Sequence, residues 1–324
     1  MSRSSNLLFN AFRYLLSIPA VVLTSCMFGQ DQVATESDTS IRLRRTISHL
    51  SETIGERNLT KPKKLNETVK LVQETFESLG YPVKRQAFSV SGVECNNLIA
   101  EVLGNSNSKE IVLIGAHYDS ARGTPGANDN GTGVAALLEI ARQLKGKQFS
   151  RTIRFVAFAN EEPPYFQRDG LMGSWVYARA CRAGGDDLKM VLSLETIGYF
   201  TDEPQSQKYP PLLAPFYPST GNFIGFVSNV ASRKQLTEVV RTFRKHCVVD
   251  AQLAALPGEL QGVGWSDHWS FWQEGYPGIM VTDTAPFRYP HYHEATDTID
   301  KIEFVRFAQV VDGLAKTIAE IAGN

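Results

Sequence analysis

The sequence predicts an α/β domain built on a mostly parallel sheet covered on both faces. Three observations carry this. Short β-rich runs alternate with helical periodicities from residue 83 onward. Near-continuous apolar strands, residues 111–114 and 153–159, require burial on both faces. Polar residues then gather directly after those strands, where open α/β sheets bind their ligands. The composition agrees: 324 residues with 43% hydrophobic and 21% charged content exclude a disordered tail, a fibre or a repeat array. With 33 Lys+Arg against 34 Asp+Glu the net charge is −1, too little basic field to grip nucleic acid.

Taken in order, the chain opens with Arg3 and Arg13 ahead of a mostly apolar run at residues 14–25. Twelve residues are too few for a helix to cross about 30 Å of hydrocarbon, and the positive leading end fits a secretory signal. The run ends Leu23-Thr24-Ser25-Cys26, which resembles a bacterial lipobox. Residues 1–25 are therefore expected to be a lipoprotein-type signal peptide, with lipidation at Cys26. A plain signal peptide and an uncleaved anchor are the alternatives. Removing Arg3 and Arg13 takes the net charge from −1 to −3. Residues 26–38 lack apolar periodicity and read as a tether. The expected location is the cell envelope, outside the cytoplasm, with membrane contact only through the lipid.

From residue 41 the apolar residues Ile41, Leu43, Ile47, Leu50 and Ile54 recur at helical spacing. A second amphipathic run, residues 65–79, stops at Gly80. Strands are then predicted at 83–90, 96–103, 110–119, 152–160 and 189–199, with helices at 133–144 and 173–183. Cys95, Cys181 and Cys247 are odd in number and widely spaced, so they form no disulfide framework and read as small buried hydrophobes.

His117, Glu161, Glu162 and Glu195 each follow an apolar strand, and Asp129 and His293 join them. Carboxylates and imidazoles without thiolates suit zinc or another divalent ion in a hydrolytic site. His117, Asp129, Glu162, Glu195 and His293 are the five candidate ligands. Asp119 stands two residues after His117, where it can hold the other imidazole nitrogen. Glu161, beside a ligand, is placed as a general base. Two motifs are set aside. Residues 131–136 match GxGxxA but follow no strand and have no ribose-binding acid downstream. Ser266-Asp267-His268 has the letters of a serine triad, which consecutive residues cannot form. Asp267 and His268 read instead as supports around the site. His291 competes with His293, and His246 reads as structural.

The segments GAHYDS, GANDNGTGVAALLE, FVAFANEE, LSLETIGY, SDHWSFW and PHYHEATDT resemble the successive signatures of the di-zinc aminopeptidase family. That family also contains glutamate carboxypeptidase, the catalytically silent transferrin receptor ectodomain and the animal glutaminyl cyclases. The resemblance implies one domain over residues 39–324, a three-layer sandwich with a mixed, mostly parallel β-sheet and helices on both faces. It implies two Zn2+ per chain: Asp129 bridging, His117 and Glu195 on one metal, Glu162 and His293 on the other. Glu195 stands where many members carry Asp. Glu161 matches the base, and Tyr292 a tyrosine that hydrogen-bonds the oxyanion, although an aromatic neighbour can also simply pack. The pattern running from His293 through Asp297 to Thr298 favours His293 over His291 and puts Asp297 beside the site. A cis peptide is implied at Asp129-Asn130. The expected activity is removal of N-terminal residues from peptides. Glutaminyl cyclisation with one zinc at Asp129, Glu162 and His293 is the alternative, and a non-catalytic binding module is a third. Tyr165, Phe166, Tyr209 and Phe216, in the long loops 163–170 and 201–221, are candidates to line a side-chain pocket.

Overall fold

The computed structural model describes residues 36–210 and 213–323. The lipobox, Cys26 and the expected tether up to residue 35 lie outside them. Helix α1 (Asp38–Ser48) starts inside the stretch expected to be tether, because Ser37 caps it by accepting from Ser40 N at 3.2 Å. Asp38 also complements the positive helix end. The buried stripe is Leu43 and Ile47, continued by Leu50 and Ile54 in the wider turn His49–Ile54. Ile41, expected on that stripe, is 43% exposed. Helix α2 (Pro62–Ser78) opens on proline, and its end is followed by Gly80 at φ +86°.

Strands β1 (Lys84–Val90) and β2 (Val93–Val102) form a hairpin. Its turn residues, Ser91 and Gly92, both have positive φ, which matches the twist of the flanking strands. Then come β3 (Asn107–His117), α3 (Gly131–Leu144), β4 (Arg151–Phe158), α4 (Gly173–Gly184) and β5 (Asp187–Glu195), within a few residues of expectation. Beyond them the chain adds β6 (Ile224–Asn229), α5 (Arg233–His246), β7 (Ala251–Leu256) and α6 (His268–Gln273). It closes with β8 (Gly278–Thr282), the single turn α7 (Ala285–Arg288) and α8 (Phe304–Ile321).

The eight strands form one sheet in the order β1-β2-β4-β3-β5-β8-β6-β7. Its centre, β4-β3-β5-β8, is parallel, whereas β1-β2, β2-β4 and β6-β8 are antiparallel. The sheet is thus mixed and mostly parallel. Alternate side chains leave each central strand on opposite faces. Val112, Ile114 and Ala116 of β3 enter the larger core with α1, α2, α3, α5 and α8, while Ile111 and Leu113 enter the smaller one under α4 and α6. In β4, Phe155 and Phe158 divide in the same way. Cys95 and Cys181 are buried, Cys247 is half-buried, and all three are free. No described helix is long and apolar enough to cross a membrane.

Candidate active site

Four parallel strands deliver acids or imidazoles to one edge of the sheet. His117 ends β3, Asn160-Glu161-Glu162 follow β4, Glu195 ends β5, and Asp283 follows β8. Asp129 arrives on the loop before α3, and His293 on the segment after α7. His117 Nε2 lies 3.1 Å from Glu195 Oε2 and 3.6 Å from Asp129 Oδ1. His293 Nε2 lies 3.2 Å from both Asp129 Oδ2 and Glu162 Oε2. Bonds of about 2.0–2.1 Å around a tetrahedral ion put neighbouring ligand atoms about 3.3 Å apart, so both groups have the span a zinc ion needs. The groups His117, Asp129, Glu195 and Asp129, Glu162, His293 share one carboxylate. His117, Glu161 and Glu162 also lie within reach of one another. Asp129 Oδ2 and Glu162 Oε1 are buried with no hydrogen-bond partner, as metal ligands would be.

Neighbouring residues hold these ligands in place. Asp119 Oδ1 is 3.4 Å from His117 Nδ1, and its two oxygens accept from Glu161 N and Glu162 N, each at 3.1 Å. One carboxylate therefore holds the backbone of the paired glutamates and lies beside the imidazole. Asp297 accepts from Asn128 N at 2.9 Å, Asp129 N at 3.1 Å and the Tyr289 hydroxyl at 2.7 Å, fixing the bridging aspartate's backbone. Asn130 caps α3 by accepting from Gly133 N and also accepts from Thr196 N, next to Glu195. Ser266 Oγ donates to Glu195 Oε2 at 2.8 Å, securing the longer arm of a glutamate. The implied cis peptide at Asp129-Asn130 is present. Asn160, Thr196 and His293 adopt left-handed φ of 61°, 44° and 59°, a concentration of disfavoured backbone that marks a functional site.

Electrostatically the cluster asks for cations. Burial, reinforced by Asp129, pushes the Glu162 carboxyl up to about 8, and burial raises Glu161 and Glu195 as well. Burial lowers both imidazoles but is overcome by their acidic neighbours. Glu195 and Glu161 hold His117 well above its usual range, and Asp129 and Glu162 carry His293 to about 11. Protons partly compensate this crowd of acids here, a task divalent ions perform better. Tyr292 stacks on His293 with ring centroids 3.9 Å apart.

An apolar cleft opens beside the cluster. Glu195 and Tyr292 stand on its wall, and it takes in about 770 Å³, open solvent at its mouth included, between the 201–221 excursion, β6, β7 and the 261–265 loop. Tyr209 lines it with Tyr217, Phe223 and Trp265. Tyr165 instead borders a small cleft near Glu162, and Phe216 is 78% exposed.

With this geometry established, residues 97–318 match the model of peptidase family M28. The chain belongs to peptidase family M28. YfbL of Escherichia coli K12, an uncharacterised protein, is 36% identical over 282 residues, 84% of this chain and 85% of its own length. Leucine aminopeptidase 1 of Arthroderma otae is 28% identical over 258 residues, 74% of this chain and 62% of that protein. The fold is shared with BSAP, a zinc aminopeptidase of Bacillus subtilis, at TM-score 0.71 and 18% identity, over 88% of this chain and 95% of that one. It is also shared with the Fimbriiglobus ruber glutaminyl cyclase, at TM-score 0.63 and 21% identity, over 86% and 94% respectively.

All five expected ligands, Glu161, Tyr292, Asp119 and Asp297 come together at the sheet edge of this M28 domain. Asp267 is fully buried near them, with neither oxygen hydrogen-bonded. His268 bonds Val263 O at 2.8 Å and packs edge-on to Trp272. His291 turns to Thr296 Oγ1 at 2.8 Å, and His246 pairs with Glu320. Sequence reasoning missed Asp283. It is fully buried, accepts from Asn128 Nδ2 at 2.9 Å and Tyr199 N at 2.8 Å, and braces the bridging loop from β8. The signal was available: Asp283 follows an apolar strand, as Glu161 does.

Proposed function

We propose that this M28 peptidase is an aminopeptidase that hydrolyses N-terminal residues of peptides with two zinc ions bridged by Asp129. The observation that carries the reading is the pair of ligand groups sharing that one carboxylate. Bound there, zinc supplies Lewis acidity that polarises a scissile carbonyl and brings the pKa of a water toward neutrality. Glu161 belongs to neither pair, stands 3.9 Å from His117 Nε2, and has its proton affinity raised by burial and by Glu195 and Glu162. It is suited to take a proton from the attacking water and pass it to the leaving amine. Tyr292, on the wall between cluster and cleft, is suited to donate to the developing oxyanion. The apolar cleft supports peptides whose first residue carries an apolar side chain.

Elemental analysis of zinc-loaded residues 27–324 should give two zincs per chain. Glu161→Gln should keep both while turnover falls by about 10²–10⁴-fold. Near-normal turnover would remove Glu161 from its role. The completeness of Asp129, Glu162 and His293 as a group on their own supports a second reading, one-zinc glutaminyl cyclisation. One bound zinc, with cyclisation of N-terminal glutamine and no cleavage of leucine peptides, would establish it. A non-catalytic module is disfavoured because no ligand has been lost. The proposed location, lipid-anchored at Cys26 in the cell envelope, rests on residues 14–26 of the sequence.

A further inference from the structure

Arg57 lies in the turn before α2 and is fully buried. Among the described residues no carboxylate forms an ion pair with it. Its donors go to main-chain carbonyls instead. Nε donates to Tyr118 O at 2.8 Å, Nη1 to Pro125 O at 2.6 Å and more weakly to Gly55 O at 3.4 Å, and Nη2 to Gly126 O at 2.8 Å. Its own backbone pairs with Ser120: its N–H donates to Ser120 Oγ at 3.1 Å, and its carbonyl accepts from Ser120 N at 3.0 Å. Burying a cation without a contacting counter-ion is costly, so a role other than generic packing is indicated.

The carbonyls identify that role. Tyr118 separates His117 from Asp119, and Gly126 comes three residues before Asp129, so the planar fork grips both ends of the loop that spaces two ligands. Gly126 makes the close approach possible. It has φ +62°, and a Cβ there would fall 2.5 Å from Asp129 O and 3.1 Å from Arg57 Nη1. The Gly126 carbonyl that accepts from Nη2 also accepts from Gly131 N at 3.2 Å, tying the fork to the first turn of α3. Burial lowers the pKa of the guanidinium to about 10, still charged at neutral pH, and Asp297, Asp119, Asp129 and Glu162 support its charge from a distance.

We propose that Arg57 is a positioning residue for the metal site, holding His117 and Asp129 at their ligand separation through the carbonyls of the loop between them. It touches neither ligand side chain, and the inference rests on reading the cluster as a metal site. Arg57→Lys keeps the charge but presents one ammonium where the fork serves three close carbonyls, and Arg57→Met removes both charge and donors. The measurement is zinc affinity by competition with a chromophoric chelator, on the full chain, at a temperature where circular dichroism shows each variant folded. Both variants should bind zinc about 10–100-fold more weakly than the parent, the range seen when supports of metal ligands are removed. Zinc should also raise their Tm by less. A purely structural role would lower the metal-free Tm and leave the affinity of the folded protein unchanged. A folded variant whose affinity stays within about twofold of the parent, well below that range, overturns the proposal.

A second measurement needs no variant. Hydrogen exchange on the unaltered chain, with zinc and after chelation, should find the amides of Ser120, Gly126 and Gly131 protected in both states, because Arg57 holds the loop without metal. Loss of that protection on metal removal also overturns the proposal. Failure of the metal reading is distinguishable: the unaltered protein would then take up no zinc, while exchange would still report on the loop.

Discussion

At the scale of single residues, identity and strand position together made the site residues legible. His117, Glu161 and Glu195 stand where an apolar strand stops; each alone fits a capped or solvated loop, and their co-occurrence with Asp129 and His293 is what marks a site. Tyr292 was ambiguous in sequence, since a neighbouring ring can simply pack. Its ring does stack on His293, yet burial, and after it Asp129, Glu162, Glu195 and Glu161, keep the phenol protonated and able to donate. Tyr292→Phe should therefore lower kcat by about 10²–10³-fold with KM little changed, the signature of a donor used in the transition state. An unchanged kcat in steady-state kinetics would leave Tyr292 a packing residue only. Arg57 could not be read from sequence because its partners are carbonyls, which every residue has.

At the scale of elements, helical stripes and short apolar runs were legible from residue 41 to residue 199. α2 and α3 were placed within a few residues, α2 because its amphipathic stripe stops at Gly80 and opens on Pro62, α3 although twelve of its 14 residues are buried. α1 was placed three residues late because Ser37 and Asp38 signal a start that apolar spacing does not. α8, which closes the larger core, was not placed. Twelve of its 18 residues are buried, as are twelve of the 14 in α3, so the degree of burial does not explain the difference. Its Phe307 is fully buried in that core. Phe307→Ala should cost about 3–5 kcal/mol through lost transfer energy and a residual cavity. Denaturant midpoints at constant m would measure this, and a loss below about 1 kcal/mol would mean the core collapses onto the gap. Zinc content per folded molecule should be unchanged, since the helix supplies no ligand.

At the scale of the whole molecule, the acid cluster couples folding to pH and metal. Buried acids with raised proton affinity bind more protons folded than unfolded, so stability falls as pH rises through the window between the two values. That window runs from 4.5 to about 8 for Glu162, where burial and then Asp129 raise the carboxyl. It runs from 3.8 to about 7 for Asp267 and Asp283, both raised first by burial. His293, raised above 6.5 by Asp129 and Glu162 against burial, has the same sign. His268, lowered by burial to about 4, opposes them only between there and 6.5. Metal-free protein should therefore lose Tm as pH goes from 6.5 to 8. Zinc should flatten or reverse the slope by displacing those protons. Calorimetry showing a rising metal-free Tm over that range would mean the acids are not buried together. What the sequence by itself determined was chemistry and local geometry: donor types without thiolates, strand ends that present them, and near-continuous apolar strands that demand helices on both faces. Such features depend on neighbours a few residues away. The family resemblance implied that Asp129, Glu162 and His293 meet; only the tertiary structure decided that Asp297 braces the loop 168 residues earlier through its backbone N–H groups, and that the 201–221 excursion walls an apolar cleft. Those contacts depend on how the sheet orders its strands, and strand order is set by burial across the whole domain.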